Sequence, residues 1–317
     1  MIRDLSFSVA FGIASTALLS FSLLGAGGQA TSGNALQTMS LMTLSVIPLF
    51  LSGLGWGLAS AAIAILTGAV IAGLFVDPMF SITYVVTCGL PVLVIVRQAL
   101  LWREENSRII WYPASGLMVC WVFICIALSC VAALLLYMND ELRAELIKQF
   151  ELVVAHVRKQ GEMFGKVTAE ELVWLMPRFF GPSWGILLLI SGCLAQGLLV
   201  RFKKNIRPSP EFSGFAMPKW IAIAAVVSVI ASLLIQQPGP VIGAIVVTLE
   251  IVFFLQGMAV IHKVSGNWSY RSLVLTAVYL IVILMFWPAL VIALLGLTDS
   301  WLNFRSRLQA APDQEED

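Results

Sequence analysis

Residues 114–137 read ASGLMVCWVFICIALSCVAALLLY, an apolar run without a single Asp, Glu, Lys or Arg. About 20 such residues are what an α-helix needs to cross roughly 30 Å of hydrocarbon. Inside hydrocarbon every backbone polar group has to be satisfied within the protein, which leaves helices and closed barrels. A barrel strand would alternate apolar and polar residues over about ten positions, and this run does not alternate. It reads as a membrane-crossing helix, and the rest of the chain repeats it at 5–25, 36–52, 54–76, 80–101, 182–200, 218–235, 239–261 and 272–297. Composition agrees: of 317 residues, 59% are hydrophobic and 12% charged, where a soluble domain is about half apolar and a quarter charged. The expected fold is all-α, a polytopic transmembrane helical bundle of about eight or nine spans. The second and third segments are Gly-interrupted, so either could be re-entrant, and Pro288 is expected to kink the last.

The charges sort by loop. Arg97, Arg103 and Arg108 follow the fourth segment, Arg201, Lys203, Lys204, Arg207 and Lys219 the sixth, and Lys263 and Arg271 the eighth, while the loops 26–36, 77–79 and 236–240 hold no Lys or Arg. Cationic loops stay in the cytoplasm, so the N-terminus is cytoplasmic in a bacterial plasma (inner) membrane. Nine spans carry the C-terminus outside, against Arg305 and Arg307, unless that end lies along the interface. The net charge of +1 and the lack of a dense basic tract exclude nucleic acid as a partner. The first segment does not read as a cleaved leader, because Gly25, Ala26, Gly27 and Gly28 make only a weak cleavage-like site.

The organisation follows: N-terminal transmembrane helices over 1–138, an extracytoplasmic amphipathic segment over 139–180, C-terminal transmembrane helices with an interfacial end over 181–308, and a disordered acidic tail over 309–317. In the extracytoplasmic segment Leu142, Leu146, Phe150, Val153, Val154 and Val157 recur at helical spacing. Thr168-Ala-Glu-Glu171 forms a capping box for a second short helix. The segment reads either as a lid over a cavity or as an elbow on the membrane surface.

Few residues could carry chemistry. Glu250 lies mid-span in the eighth segment, where a carboxylate is costly unless paired, protonated or facing a wet cavity. With it on that segment are Phe254, Gln256, Gly257 and, near the cytoplasmic end, His262, which together form the candidate ligand-binding set. The alternative is that Glu250 fixes helix packing and that Gln256, His262 and Gln196 are helix–helix glue. The five cysteines lie in apolar stretches as small hydrophobes. No metal site or cofactor site is proposed, and no catalytic motif is found, neither H-E-x-x-H, P-loop nor G-x-S-x-G. The protein is therefore expected not to be an enzyme. Small residues spaced by four, Ser6-Ala10-Ala14, Gly53-Gly57-Ala61 and Ser60-Ala64-Gly68-Ala72, form ridges for close helix packing or for a partner membrane protein.

Three C-terminal stretches, Pro210-Glu-Phe-Ser-Gly-Phe-Ala-Met-Pro218, Phe254-Leu-Gln-Gly-Met-Ala-Val-Ile-His262 and Leu295-Gly-Leu-Thr-Asp-Ser-Trp-Leu-Asn-Phe-Arg305, resemble the YybS-like family of bacterial multi-pass membrane proteins, a domain of unknown function. The resemblance covers the last hundred or so residues; the N-terminal half agrees in hydropathy and segment order. It implies a fold shared with the substrate-binding membrane subunits of energy-coupling-factor importers. Those subunits bind vitamins or similar small molecules and dock on a coupling subunit through Ala-x-x-x-Ala in their first helix, a pattern that Ala10 and Ala14 fit here. The resulting expectation is a small-molecule-binding transport component with the lipid bilayer, a small-molecule ligand and energising subunits as partners. The alternatives are a structural or regulatory protein assembling with envelope partners, and, more weakly, a membrane enzyme acting on lipid.

Overall fold

The computed structural model describes residues 2–26, 32–160, 168–235, 239–285, 287–302 and 304. The acidic tail, Arg305, Arg307, Gly27, Gly28 and the side chains of Val153 and Val157 lie outside the described residues. The helices are α1 (Ile2–Ala26), α2 (Ser32–Trp56), α3 (Leu58–Phe75), α4 (Pro78–Tyr84), α5 (Leu90–Ala99), α6 (Ala114–Met138), α7 (Asp140–Gln160), α8 (Ala169–Arg201), α9 (Lys219–Leu234), α10 (Pro240–Val264), α11 (Arg271–Met285) and α12 (Pro288–Leu302). A π-helical turn, Val85–Gly89, joins α4 and α5. The fold is all-α and polytopic. Among the described residues the exception is a small antiparallel hairpin, β1 (Trp102–Glu105) and β2 (Arg108–Trp111), turning through Asn106 and Ser107 at positive φ.

Among the described residues seven stretches are long and apolar enough to cross a membrane, and α9, α11 and α12 are shorter apolar helices. The expected second and third spans are full-length helices that meet at Gly57, whose φ of 96° suits a residue without Cβ. Gly53, Gly57 and Ala61 therefore do not form one helical ridge. Among the described residues the expected ninth span is two helices, Arg271–Met285 and Pro288–Leu302, and not one. Pro288 sits at the first position of α12 and interrupts the helix, where a bend was expected. The expected sixth span is longer than its apolar core. The capping box forms, with Thr168 Oγ1 accepting from Glu171 N–H at 3.2 Å and the Glu171 carboxylate accepting from Thr168 N–H at 2.9 Å. The helix it starts runs unbroken for 33 residues through Pro177 and Pro182.

The chain divides into two compact units: Met1–Trp121 with Trp184–Pro210, and Val122–Ser183 with Glu211–Asp317. In the first, α1, α2 and α3 are joined by hydroxyls. Ser60 Oγ lies 2.6 Å from Ser8 Oγ and 2.7 Å from Ser52 Oγ, Thr16 donates to the Gly68 carbonyl at 3.0 Å, and Tyr84 donates to Ser15 at 3.0 Å. Ser60, Ala61, Ala64, Gly68 and Ala72 of α3 are buried, so the small-residue ridge there serves internal packing. Pro91 has no N–H, which frees the carbonyl of Thr87 four residues earlier; Trp184 Nε1 donates to it at 2.6 Å. This is the re-satisfied backbone that hydrocarbon demands.

The charged loops gather at one end of this unit. The Arg207 guanidinium is buried and donates to the carbonyls of Ala99, the last residue of α5, at 3.1 Å, and of Tyr112, just after β2, at 2.7 Å. Burial lowers its pKa. The negative end of the α5 dipole and two carbonyls stand in for a counter-ion. Gln196 donates to the carbonyl of Arg207 at 2.9 Å, so it fastens the loop to the end of α8. Lys204 lies 5.3 Å from the Trp56 ring and 5.9 Å from Phe7. The start of α1, the ends of α2, α5 and α8, and the hairpin bearing Arg103 thus share one end.

In the second unit α6 and α8 touch at Gly181, where an added Cβ would stand 2.0 Å from the Cys125 carbonyl oxygen. Asn139 caps α7 by accepting from Leu142 N–H at 2.9 Å. Arg143 donates to the Leu136 carbonyl at 3.1 Å, pairs with Asp140 and stacks 5.6 Å from the Trp174 ring. These contacts fix the turn out of α6.

Candidate functional site

The three motifs that carried the family resemblance meet at one side chain. Gln256 on α10 is fully buried. Its carbonyl oxygen accepts from Met217 N–H at 2.9 Å, and its amide nitrogen donates to Asp299 Oδ2 and Ser300 Oγ, both at 3.2 Å. Met217 belongs to the first stretch, Gln256 to the second, and Asp299 and Ser300 to the third. A buried carboxamide must find partners for its donors and acceptor, and here they come from two other parts of the chain. Asp299 and Ser300 were not singled out in the sequence. The signal was present, since Asp299 is an acid in an otherwise uncharged helix, but the span drawn to residue 297 left it outside.

Gly257 lies where α10 meets the backbone of α12. A Cβ on Gly257 would stand 2.0 Å from the Ile292 carbonyl oxygen, and one on Gly296 would stand 2.0 Å from that of Phe253. Both positions therefore admit only hydrogen. Gly257 is a packing residue here. His262 Nε2 lies 2.9 Å from Tyr279 Oη, and the Phe212 ring meets the imidazole edge-on at 5.7 Å. Phe254 is half-buried. Of the candidate set, then, Gln256, Gly257 and His262 have partners within the second unit.

Glu250 differs. It is half-buried, and among the described residues no hydrogen bond or ion pair reaches its carboxylate. Gly243, Glu250 and Gly257 are spaced by seven, close to two helical turns, so they share a face of α10. At the Gly243 end of that face stands Arg178 of α8. A Cβ on Gly243 would lie 1.8 Å from Arg178 Nε, and that nitrogen is buried without a hydrogen-bond partner among the described residues. Seven residues of helix separate the two backbone positions by about 10 Å. A cation and a carboxylate thus stand on one face of α10, two turns apart. Arg178 was missed in the sequence because it was assigned to the extracytoplasmic segment.

Ala10 is exposed and Ala14 half-buried, on the face of α1 turned away from the buried Ser8, Ser15, Thr16, Leu19 and Ser22. The pair takes no part in the hydroxyl seam of the first unit.

No curated protein and no solved structure matches the chain. A family model described as a predicted membrane protein, DUF2232, matches residues 35–300. The match takes in Met217, Gln256, Asp299 and Ser300 and reaches back through most of the N-terminal half, well beyond the three motifs. The chain belongs to this family of predicted membrane proteins.

Proposed function

We propose that the protein is a non-catalytic, small-molecule-binding component of a transport system, similar in role to the substrate-binding subunit of an energy-coupling-factor importer. It would sit in a bacterial plasma membrane with its N-terminus in the cytoplasm. The observation that carries the reading is the unpartnered pair along one face of α10: Glu250 of α10 and Arg178 Nε of α8 lack protein partners among the described residues, while Gln256 and His262 elsewhere on α10 have theirs. Intramembrane charges without partners mark ligand or ion contacts by default. A small molecule carrying both an acidic and a basic group fits the pair, its anion on Arg178 and its cation on Glu250. The gathering of Arg103, Lys204 and Arg207 at one end of the first unit supports the orientation through the positive-inside rule. The outward face of α1 with Ala10 and Ala14 supports docking on an energising subunit.

The test is purification in mild detergent followed by mass spectrometry of bound small molecules and proteins. Glu250→Gln and Arg178→Gln should each deplete a molecule retained by the unaltered chain and leave the thermal unfolding midpoint in place. A second reading, a scaffold that assembles with envelope partners, draws on the close packing at Gly257 and Gly296. It predicts that no molecule is lost and that Glu250→Gln is silent or mildly stabilising; that outcome would end the transport reading.

A further inference from the structure

We infer that the ligand of the Arg178–Glu250 pair is an elongated zwitterion, with its anionic and cationic groups at opposite ends of an apolar spacer, and that Gly243 is the residue that positions Arg178 for the anionic end. This rests on the small-molecule-binding reading above and adds the length and orientation of the ligand and a third residue. Gly243 and Gly257 share a face of α10 but do different things. A Cβ on Gly257 would meet Ile292, its carbonyl oxygen first. A Cβ on Gly243 would meet the Arg178 side chain, 1.8 Å from Nε, 2.6 Å from Cζ and 2.8 Å from Cδ. The missing side chain of Gly243 is thus the seat of a guanidinium and not a contact between backbones. Gly243 is buried, and the Nε it faces is buried without a hydrogen-bond partner among the described residues. The seat lies in the first turn of α10, where the helix dipole is positive and disfavours a cation. An anion would satisfy the guanidinium and the dipole together.

The length of the ligand follows from the helix. From Gly243 to Glu250 α10 rises about 10 Å. Side chains on a helix lean toward its N-terminus, so Glu250 leans toward Gly243, yet it forms no ion pair with Arg178. The gap is therefore wider than a direct contact. Val246 and Val247 lie between the two charges on the same face and are half-buried. An α-amino acid carries its ammonium and carboxylate on one carbon and can reach only one end. A chain of several methylenes with a charge at each end reaches both and lays its spacer on the two valines. Each methylene buried there adds to the affinity until the chain outgrows the gap.

The test is titration of the full chain in mild detergent with glycine, 4-aminobutanoate and 6-aminohexanoate, read by calorimetry, with hexanoate and hexylamine as probes of one charge each. The 6-aminohexanoate should bind about tenfold more tightly than glycine, hexanoate or hexylamine, because it alone engages both charges. Gly243→Ala should remove that advantage and leave the unfolding midpoint in place, since the atoms it displaces belong to a flexible side chain. Glu250→Gln should bring 6-aminohexanoate down to the affinity of hexanoate, and Arg178→Gln to that of hexylamine; these two variants decide the matter if Gly243→Ala does not fold. Glycine binding as tightly as 6-aminohexanoate, no zwitterion of the series binding, or Gly243→Ala binding like the parent chain would each overturn the inference. The reading beneath it fails separately, when Glu250→Gln and Arg178→Gln leave the set of co-purifying molecules unchanged.

Discussion

In the first unit, α1, α2, α3 and α4 are joined by single hydroxyls, with contacts from helix to helix of 2.6–3.0 Å. In the second, α10 and α12 are joined by one carboxamide with three partners and by two glycines whose hydrogens touch the opposite backbone. Both designs let helices approach closely in a solvent that provides no hydrophobic drive between them. They distribute the risk differently. A serine seam loses one or two hydroxyl contacts at a time, whereas the loss of Gln256 removes three at once, to Met217 and to Asp299 and Ser300 on α12. The family match spans both.

The largest expected effect is at the glycine contact. Gly296→Leu puts a side chain where even a Cβ would be 2.0 Å from the Phe253 carbonyl oxygen and 2.5 Å from Gly257 N. Backbone on both sides prevents relief by rotamer change. The expected cost is about 3 kcal/mol, the upper end for overpacking, read as a lowered unfolding midpoint in detergent. The parallel change in the first unit, Gly73→Leu, faces only Ser81 side-chain atoms at 3.5 and 3.7 Å and should cost far less. Equal losses would erase the contrast.

Next comes the hub. Gln256→Leu keeps the volume and removes every hydrogen bond of the side chain, leaving Met217 N–H without its acceptor and Asp299 Oδ2 without this donor. Stranding buried polar groups costs about 2 kcal/mol. The distinguishing readout is protease sensitivity: cleavage should rise within 211–217, which Gln256 holds at Met217, and in α12, while the first unit keeps its protection.

How much of this was legible in the sequence depended on the range of the interaction. Spans and the Thr168 capping box are local, set by runs of apolar residues and by a spacing of three, and they were readable. Pro288 was visible too, but whether a proline bends or ends a helix depends on what packs beside it, and here α10 holds α12 by contacts at Gly257 and Gln256. Asp299 was within reach as a lone acid in an apolar helix. Arg178 was not, because nothing near it in sequence points to Gly243, 65 residues away. Gln256 looked like a possible ligand contact since a polar side chain in a span is ambiguous until its partners are known. The β-hairpin went unseen as well: Asn106-Ser107 is a weak turn signal beside Asn-Gly or Asp-Gly.

A smaller effect is expected at Arg207. Arg207→Gln removes a buried cation that donates to Ala99 and Tyr112, and hydrogen bonds from a charged donor are worth about 1.5 kcal/mol. The offset is that burial already disfavours the charged form, so the net loss should be about 1 kcal/mol. Its signature is local, namely faster proteolysis of the hairpin at 102–111 with little change in the second unit. A change in the second unit as large as in the first would refute the assignment of Arg207 to the first unit alone.

The smallest effect sharpens the comparison most. Ser60 touches both Ser8 and Ser52, so Ser60→Ala breaks two hydroxyl contacts in the seam at once. Yet Ser8 and Ser52 sit on helices, where a serine hydroxyl can turn back to a carbonyl one turn earlier, as Ser22 does to Leu19 at 2.8 Å. Both hydroxyls should therefore keep or regain partners, and the cost should be about 0.6 kcal/mol, the average measured for interhelical hydrogen bonds in membranes. Equilibrium unfolding in detergent, compared with Gln256→Leu on the same scale, decides it. A loss at Ser60 equal to that at Gln256 would mean that the hydroxyl seam is as indivisible as the hub, and that the two units are built alike after all.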